Sequence, residues 1–256
     1  MFATARGVVR SLRIYYGNRE RRDAMDALYR RFLRPGDLAY DIGAHVGDRV
    51  ASFRRLGARV VAVEPQAALV LTLRLLFAFD RNVTIESVAL GRKAGSIELK
   101  INPPNPTVAT ASKEFVDAAR GAPGWEDQRW TKTKVVPMRT LDDLIARYGL
   151  PRFVKIDVEG FEDEVLAGLS HPLPMLSFEF TTIQREVAIS AVKRLTSSTP
   201  YTFNAVLGET QKLVHAEPLD AKGISRWIES LPVEANSGDI YASMDPVPLR
   251  PSMAAS

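Results

Sequence analysis

The stretch that decides the fold is Leu38-Ala-Tyr-Asp-Ile-Gly-Ala-His-Val-Gly47, which is followed after a short helical segment by Arg59-Val-Val-Ala-Val-Glu-Pro65. It predicts a strand, a glycine turn, a helix and a second strand, with an acidic residue near the end of each strand. Glycines in such a turn let the backbone approach a ligand, and a carboxylate that ends the second strand can accept hydrogen bonds from both ribose hydroxyls. The stretch therefore predicts a site for a nucleoside-like ligand.

The rest of the 256-residue chain continues to alternate strand-like and helix-like segments. This alternation predicts an α/β fold: a doubly wound, mainly parallel, seven-stranded sheet with helices on both faces and an antiparallel last strand. Val83–Leu90 is predicted as one strand, and Tyr201–Leu207 with Lys212–His215 as a hairpin. The ligand crevice of such a sheet lies at the carboxyl ends of its strands. Five residues are predicted near those ends: Asp41, Glu64, Ala89, Asp157 and Glu179.

Three regions follow from composition and pattern. Residues 1–34 contain nine arginines and three acids and are predicted to form a basic helical arm. Residues 35–245 form the main domain, in which 102–134 is an insertion with four prolines, predicted as a lid or substrate wall. Residues 246–256 are expected to be a loose tail.

The composition limits the classes of protein. The absence of cysteine excludes disulfides, cysteine-ligated zinc and a thiol nucleophile. No apolar run is long enough for a membrane span, and the N-terminus lacks the apolar core of a signal peptide, so a cytoplasmic protein is expected. The basic arm suits nucleic acid, anionic lipid at a membrane surface or a phosphorylated substrate, or else a pair of solvated helices packed beside the core. Apart from Tyr15-Tyr16, aromatic residues are not interleaved among its arginines in a base-stacking pattern, so no nucleic-acid partner is predicted.

The glycine turn distinguishes between nucleotide cofactors. Nicotinamide enzymes normally have G-x-G-x-x-G, whereas this turn has no G-x-G, and Asp41 precedes its first glycine by two residues. A carboxylate there would repel a pyrophosphate but would favour the sulfonium and ammonium groups of S-adenosyl-L-methionine. The residues thus favour a methyltransferase over a nicotinamide-dependent oxidoreductase. A third interpretation is that the chain has a non-catalytic methyltransferase fold and serves as a binding or scaffold module.

A family resemblance rests on several motifs, the most specific of which is Lys155-Ile-Asp-Val-Glu-Gly160. The others are Asp41–Gly47, Val63–Pro65, Val88–Gly91, Thr140–Leu144 and the continuation to Leu166. Together they resemble the FkbM family of S-adenosylmethionine-dependent methyltransferases over about residues 36–180. The resemblance implies a class I methyltransferase fold and methylation of a hydroxyl oxygen on a sugar, glycolipid or polyketide. One departure is His45, where many members have asparagine.

The predicted cofactor site has three parts. Asp41, Gly43 and Ala44 would frame the methionine moiety, while Gly47 would let the following helix pack closely. Glu64 would bind the ribose hydroxyls. The full set of predicted cofactor-binding residues is Asp41, Gly43, Ala44, Gly47, Glu64, Pro65, Ser87, Val88, Ala89 and Asp157, of which Ser87, Val88 and Ala89 would lie against adenine.

The predicted catalytic residues are Asp157, Glu179 and His45, each able to take a proton from an acceptor hydroxyl. Asp157 with a neighbouring acid could instead hold a divalent ion that lowers the hydroxyl pKa, although the spacing defines no metal ligand set. Lys155 is predicted to lie within a strand without a catalytic role. Trp125 and Trp130 suit either a sugar-stacking wall or packing anchors. A small hydroxylated molecule is the expected partner.

Overall fold

A seven-stranded sheet organises the protein, for which a computed structural model describes residues 2–249. Within those residues the main sheet has the order β3-β2-β1-β7-β8-β10-β9. Its strands are β1 (Leu38–Ile42), β2 (Arg59–Val63), β3 (Val83–Glu86), β7 (Phe153–Ile156), β8 (Met175–Thr181), β9 (Thr202–Leu207) and β10 (Ser237–Ser243). All neighbours are parallel except β10, which runs antiparallel to both β8 and β9. The predicted fold class is confirmed.

A second sheet of three strands lies beside the main one. It is built from β4 (Ala89–Leu90), β5 (Gly95–Ile101) and β6 (Lys132–Arg139), with β6 in the centre. The prediction of one strand over Val83–Leu90 was therefore wrong. The chain leaves the main sheet after Glu86, and Ala89 and Leu90 pair with Met138 and Arg139 instead.

Helices cover both faces of the main sheet. They are α1 (Phe2–Tyr16), α2 (Arg19–Tyr29), α3 (Asp48–Arg55), α4 (Ala67–Leu76), α5 (Lys113–Ala119), α6 (Leu141–Tyr148), α7 (Glu162–Ala167), α8 (Arg185–Leu195) and α9 (Ala221–Ser230). The helices α2, α3 and α4 pack on one face and α6, α7, α8 and α9 on the other. Successive residues of a strand point to opposite faces. Accordingly, Val60 and Ala62 of β2 pack in one core, and Val61 and Val63 in the other.

The sheet order changes direction between β1 and β7. The chain passes outward from β1 through β2 to β3 and returns to build β7 on the opposite side of β1. Ligands of doubly wound sheets bind at this switch point, outside the carboxyl ends of the strands. The fold therefore places the turn after β1 and the segment after β7 at the mouth of one crevice.

The predicted basic arm packs on the domain through both of its helices. In α2, Met25, Leu28 and Tyr29 belong to the core that also contains α3. In α1, Val8 packs with Val46 and with Leu69 of α4. The sequence analysis gave a pair of helices packed beside the core as one alternative for this arm, and the structure has this arrangement.

The 102–134 insertion is more regular than its composition suggested. It contains a 3₁₀ turn at Pro106–Val108 and the helix α5, and β6 begins at Lys132. Its aromatic residues pack together, because Phe115 lies edge-on to Trp125 and Trp130 with ring centroids 5.1 and 6.1 Å apart.

The C-terminal part departs from prediction at one segment. Lys212–His215 forms no strand; a single bridge joins Leu213 to Val206, and β9 pairs along its length with β10. Of the predicted loose tail, residues 247–249 form a 3₁₀ turn with Leu249 buried, and residues 250–256 lie outside the described residues. None of the helices described has the length and apolar character needed to cross a bilayer.

Candidate active site

A cavity of about 270 Å³ opens at the switch point of the sheet. Its floor is formed by the ends of β1, β2 and β7, and its walls by residues before β4 and by the 3₁₀ turn at Pro106–Val108. It is lined by eight of the ten predicted cofactor residues, Asp41, Gly43, Ala44, Glu64, Pro65, Val88, Ala89 and Asp157, and by the predicted catalytic residues Glu179 and His45. Seven carboxyl groups but only two cationic side chains, Arg49 and Lys155, line the cavity.

The glycine turn after β1 is held by the end of β2. The amide groups of Gly43 and Ala44 both donate hydrogen bonds to the Val63 carbonyl, at 2.9 and 3.0 Å. Gly43 has a φ of 83°, and a Cβ added there would lie 1.8 Å from the Asp157 carbonyl oxygen. Only glycine fits where β1 and β7 meet so closely.

Asp41 is a buried carboxyl group with an unused acceptor. Its side chain is 2% exposed, and Oδ2 has no hydrogen-bond partner among the described residues. Burial raises its pKa to about 7, and the nearby carboxylate of Asp48 adds to the rise while Arg49 and Lys155 oppose it. A cationic ligand group would satisfy this oxygen and favour its ionised form.

Glu64 is oriented by two backbone amides. Its Oε2 accepts a hydrogen bond from the His45 amide at 3.0 Å, and Oε1 accepts one from the Gln66 amide at 2.8 Å. Burial raises the pKa of this carboxyl to about 7, against the lowering effect of those hydrogen bonds. Because each carboxylate oxygen has a further lone pair, both oxygens can still accept a hydrogen bond from a ribose hydroxyl group.

Three of the acids that line the cavity form a cluster. Asp157, Glu159 and Glu179 each offer a carboxylate oxygen, and the three oxygens lie within 4.8 Å of one another. Burial raises the pKa of Glu159 and of Glu179 well above the usual range, and the charge on Asp157 raises both further. The three acids are the residues that could hold a divalent cation, which the sequence left open for Asp157 and a neighbour.

Lys155 holds Asp157 in its ionised form. The ammonium group is 3.0 Å from Asp157 Oδ2 and 2.8 Å from Asp239 Oδ1, and the lysine is 1% exposed. Burial opposes ionisation of Asp157, but the charges of Lys155 and Arg49 prevail and lower its pKa. The sequence indicated Lys155 as a strand residue, which is correct, but gave no signal of its contact with Asp239, which is 84 residues away.

His45 is neutral at physiological pH. Burial lowers its pKa to about 4, and Nε2 has no partner within the described part of the chain. The ring lies edge-on to Tyr15, with the two ring centroids 5.4 Å apart. A neutral imidazole can accept a proton, but a pKa of 4 makes it a weak base.

The cavity is also lined by the N-terminal arm, which the sequence did not assign to the site, and by the insertion, which the sequence predicted as a lid or substrate wall. Tyr15 of α1 lines it, and the guanidinium of Arg21 lies 4.9 Å from the centre of the Tyr15 ring. On the other side Trp125 lines the cavity, and its Nε1 donates to Asn236 Oδ1 at 3.0 Å. The sequence predicted a basic helical arm over residues 1–34, but no local signal indicates what that arm covers.

Two predicted cofactor residues lie away from the cavity. Ser87 is exposed between β3 and β4 and does not line the cavity, and its contact with adenine stays a prediction. Gly47 does not line the cavity either. A Cβ on Gly47 would lie 2.6 Å from Leu73 Cδ2, so this glycine lets α4 pack closely against the turn, whereas the sequence predicted close packing of the following helix, α3.

A comparison with protein-family models matches residues 41–214 to the methyltransferase FkbM domain. The chain belongs to this family. The match begins at Asp41 near the end of β1 and includes the glycine turn, β2 and the acids that follow β7, so most of the residues that line the cavity lie within the family match. The family uses S-adenosylmethionine as methyl donor, and the surplus of buried carboxyl groups fits a cationic donor.

Solved structures resemble this FkbM chain at low identity. They include precorrin-6y C5,15-methyltransferase from Geobacter metallireducens GS-15, at 15% identity and a TM-score of 0.43, covering 86% of each chain. Aeropyrum pernix fibrillarin with natively bound S-adenosyl-L-methionine has 10% identity and a TM-score of 0.43, covering 82% of this chain and 67% of its own. An O-methyltransferase from Bacillus cereus in complex with SAH has 12% identity and a TM-score of 0.40, covering 92% and 89%. Likenesses this distant identify no substrate, and no curated protein sequence matches the chain.

Proposed function

We propose that this protein is an S-adenosylmethionine-dependent O-methyltransferase that acts on a hydroxyl group of a small metabolite such as a sugar, glycolipid or polyketide. The observation that supports it most directly is the carboxyl-rich lining of the cavity, which includes Asp41, whose buried Oδ2 has no hydrogen-bond partner among the described residues. A pyrophosphate would meet these carboxyl groups unfavourably. A sulfonium and an ammonium group would be attracted to them.

The residues of the chain divide between binding and proton transfer. Asp41 binds the cationic end of the donor, and Glu64 binds its ribose. The donor supplies a methyl group activated by its positive sulfur. Much of the rate of such an in-line displacement comes from alignment of the acceptor oxygen with the methyl carbon.

The acceptor proton has a nearby destination in Asp157. This carboxylate is kept ionised by Lys155, and a carboxyl oxygen of the neighbouring Glu179 lies within 4.8 Å of it. With donor and acceptor bound, Asp157 would take the proton that the acceptor hydroxyl loses when it is methylated. His45 is the second acceptor for this proton, since its imidazole is neutral and its Nε2 has no partner among the described residues.

Calorimetry with S-adenosylmethionine and with NAD tests the cofactor. We expect the first to bind and the second not to bind, and Asp41→Ala and Glu64→Ala should each weaken binding severalfold or more. Tight NAD binding would instead indicate the oxidoreductase alternative, and absence of binding by either nucleotide would indicate a scaffold module.

The acceptor is tested with labelled methyl donor and a cell extract. We expect label in a small hydroxylated product, and Asp157→Asn should lose transfer while it still binds the donor. Label on nitrogen or carbon of the product would contradict O-methylation.

The cytoplasmic location and the absence of a nucleic-acid partner remain predictions from the sequence.

A further inference from the structure

The solvent-facing side of α4 is apolar. Leu71 and Leu75 are 59% and 71% exposed, and Phe79, just beyond the helix, is fully exposed. The opposite side of the same helix buries Leu69, Val70 and Leu73. A surface helix of a globular protein normally places polar residues towards solvent, so an outer stripe of leucines indicates a contact with something apolar.

The neighbouring helix α1 combines apolar and basic residues on its exposed side. Val9 and Ile14 are 48% and 52% exposed. They lie with Arg6, Arg10 and Arg13 around a shallow groove. Long basic side chains beside exposed aliphatic ones are typical of helices that lie in the interfacial region of a bilayer.

The two exposed sides belong to adjacent helices, because Val8 of α1 and Leu69 of α4 pack on the same residue, Val46. We call them the α1–α4 face, defined by the exposed residues of α1 and α4 together with Phe79. It holds seven of the thirteen large apolar side chains that are exposed in the described part of the chain. Neither helix contains an aspartate or glutamate, whereas together they contain four arginines, Arg6, Arg10, Arg13 and Arg74.

The charge of the α1–α4 face distinguishes between the kinds of partner that could bind it. A second copy of the chain would set arginines against arginines with no acid on either helix to neutralise them. A nucleic acid would satisfy the arginines but would leave the leucines and Phe79 in water. An anionic lipid surface satisfies both kinds of side chain at once, since apolar side chains enter the acyl boundary and arginines meet the headgroups.

We propose that the α1–α4 face docks this protein onto the surface of an anionic membrane, without crossing it. Nothing in the methyltransferase reaction requires this contact. The proposal therefore goes beyond the proposed function and can be tested without donor or acceptor.

Flotation with lipid vesicles tests the proposal on the full chain. We expect it to bind vesicles of phosphatidylglycerol and phosphatidylcholine in equal parts, to bind pure phosphatidylcholine far less, and to be released partly by salt. The variant Arg6→Ser/Arg10→Ser/Arg13→Ser should lose on the order of 100-fold in partitioning, since each arginine near an anionic surface gives roughly a fivefold gain. The variant Leu71→Ser/Leu75→Ser/Phe79→Ser should lose at least about 10-fold.

Matched controls are available elsewhere on the surface. Arg152→Ser/Lys222→Ser/Arg226→Ser removes three exposed cations outside the α1–α4 face, and Leu150→Ser removes an exposed leucine. Both should bind vesicles like the parent chain, and circular dichroism should show that all the variants are folded.

Three outcomes would overturn the proposal. The first is failure of the parent chain to bind anionic vesicles. The second is binding that the arginine variant loses and the leucine variant retains, which is electrostatic adsorption alone. The third is a dimer in light scattering that the leucine variant dissociates, which would mean that a second copy covers the α1–α4 face.

Discussion

In the donor-free protein, the ionised carboxylate of Asp41 destabilises the folded state. Its ionised form has no hydrogen-bond donor for Oδ2 among the described residues and lies in a buried site, which is why its pKa is raised to about 7. Binding-site residues that are arranged for a charged ligand often destabilise the free protein, because their arrangement is favourable only when the ligand is bound. Asp41 should therefore oppose stability while it supports binding.

The variant Asp41→Asn separates these two effects. At pH 8 we expect it to melt at least roughly 2–4 °C above the parent, because the amide carries no ionisation penalty. The difference should shrink towards pH 5, where the parent carboxyl is protonated. Calorimetry should show donor affinity reduced by roughly 10- to 100-fold, the worth of a charged hydrogen bond.

The control for this prediction is Asp127→Asn, which removes an exposed carboxyl in the insertion and should change neither the melting temperature nor the affinity. A less stable Asp41→Asn at pH 8 with unchanged donor affinity would contradict the role given to Asp41.

Lys155→Met tests the buried ion pair. The substitution leaves Asp157 and Asp239 without their shared cation, and the loss of one partner of a buried pair costs about 3–5 kcal/mol. Urea unfolding should show this decrease. The double variant Lys155→Met/Asp239→Asn should recover part of it, and a single variant as stable as the parent would contradict the assignment.

At the scale of elements, α1 closes the cavity through one side chain. Tyr15 lies between the guanidinium of Arg21 and the ring of His45, so its ring is held in place from two sides. This contact joins the N-terminal helix, which precedes the family match, to the glycine turn inside it.

We expect Tyr15→Ala to weaken donor binding by roughly 2- to 10-fold, the range of a single aromatic contact. Tyr15→Phe keeps the ring and should bind like the parent. Equal losses in both variants, measured by calorimetry, would mean that the hydroxyl and not the ring matters.

The prediction of individual elements succeeded where the local pattern was sufficient. For α6, the sequence Thr140-Leu-Asp-Asp143 predicts a capping box, and each of the two side chains accepts a hydrogen bond from the other residue's backbone amide, at 3.0 and 2.9 Å. The prediction of a single strand failed for Val83–Leu90, although all of these residues are compatible with a strand. Which sheet each half joins depends on β6, about 50 residues later, and no local pattern contains that information.

At the scale of the whole molecule, the donor-free protein should become less stable as pH rises. Asp41 and Glu64 have folded pKa values of about 7, above their unfolded values, so the native state binds more protons between about pH 4 and 7. Carboxyls with lowered pKa, such as Asp48, lose their stabilising effect only below the unfolded value of 3.8.

Differential scanning fluorimetry should therefore show the melting temperature falling by several degrees from pH 5 to pH 8. With saturating S-adenosylmethionine the fall should be smaller, because the donor favours the ionised form of Asp41. A melting temperature that rises over this interval would contradict the assignment of these two carboxyls.

The sequence by itself determined the βαβ start, the class of sheet and the acids at the strand ends, because periodicity and glycine spacing act within a few residues of the chain. It also indicated the donor, since the charge at Asp41 excludes a pyrophosphate locally. Only the tertiary structure decided that Lys155 pairs with Asp239, that Tyr15 covers the cavity and that Ser87 does not reach it. Those facts depend on contacts between segments far apart in sequence, and such contacts are set by how helices and strands pack together.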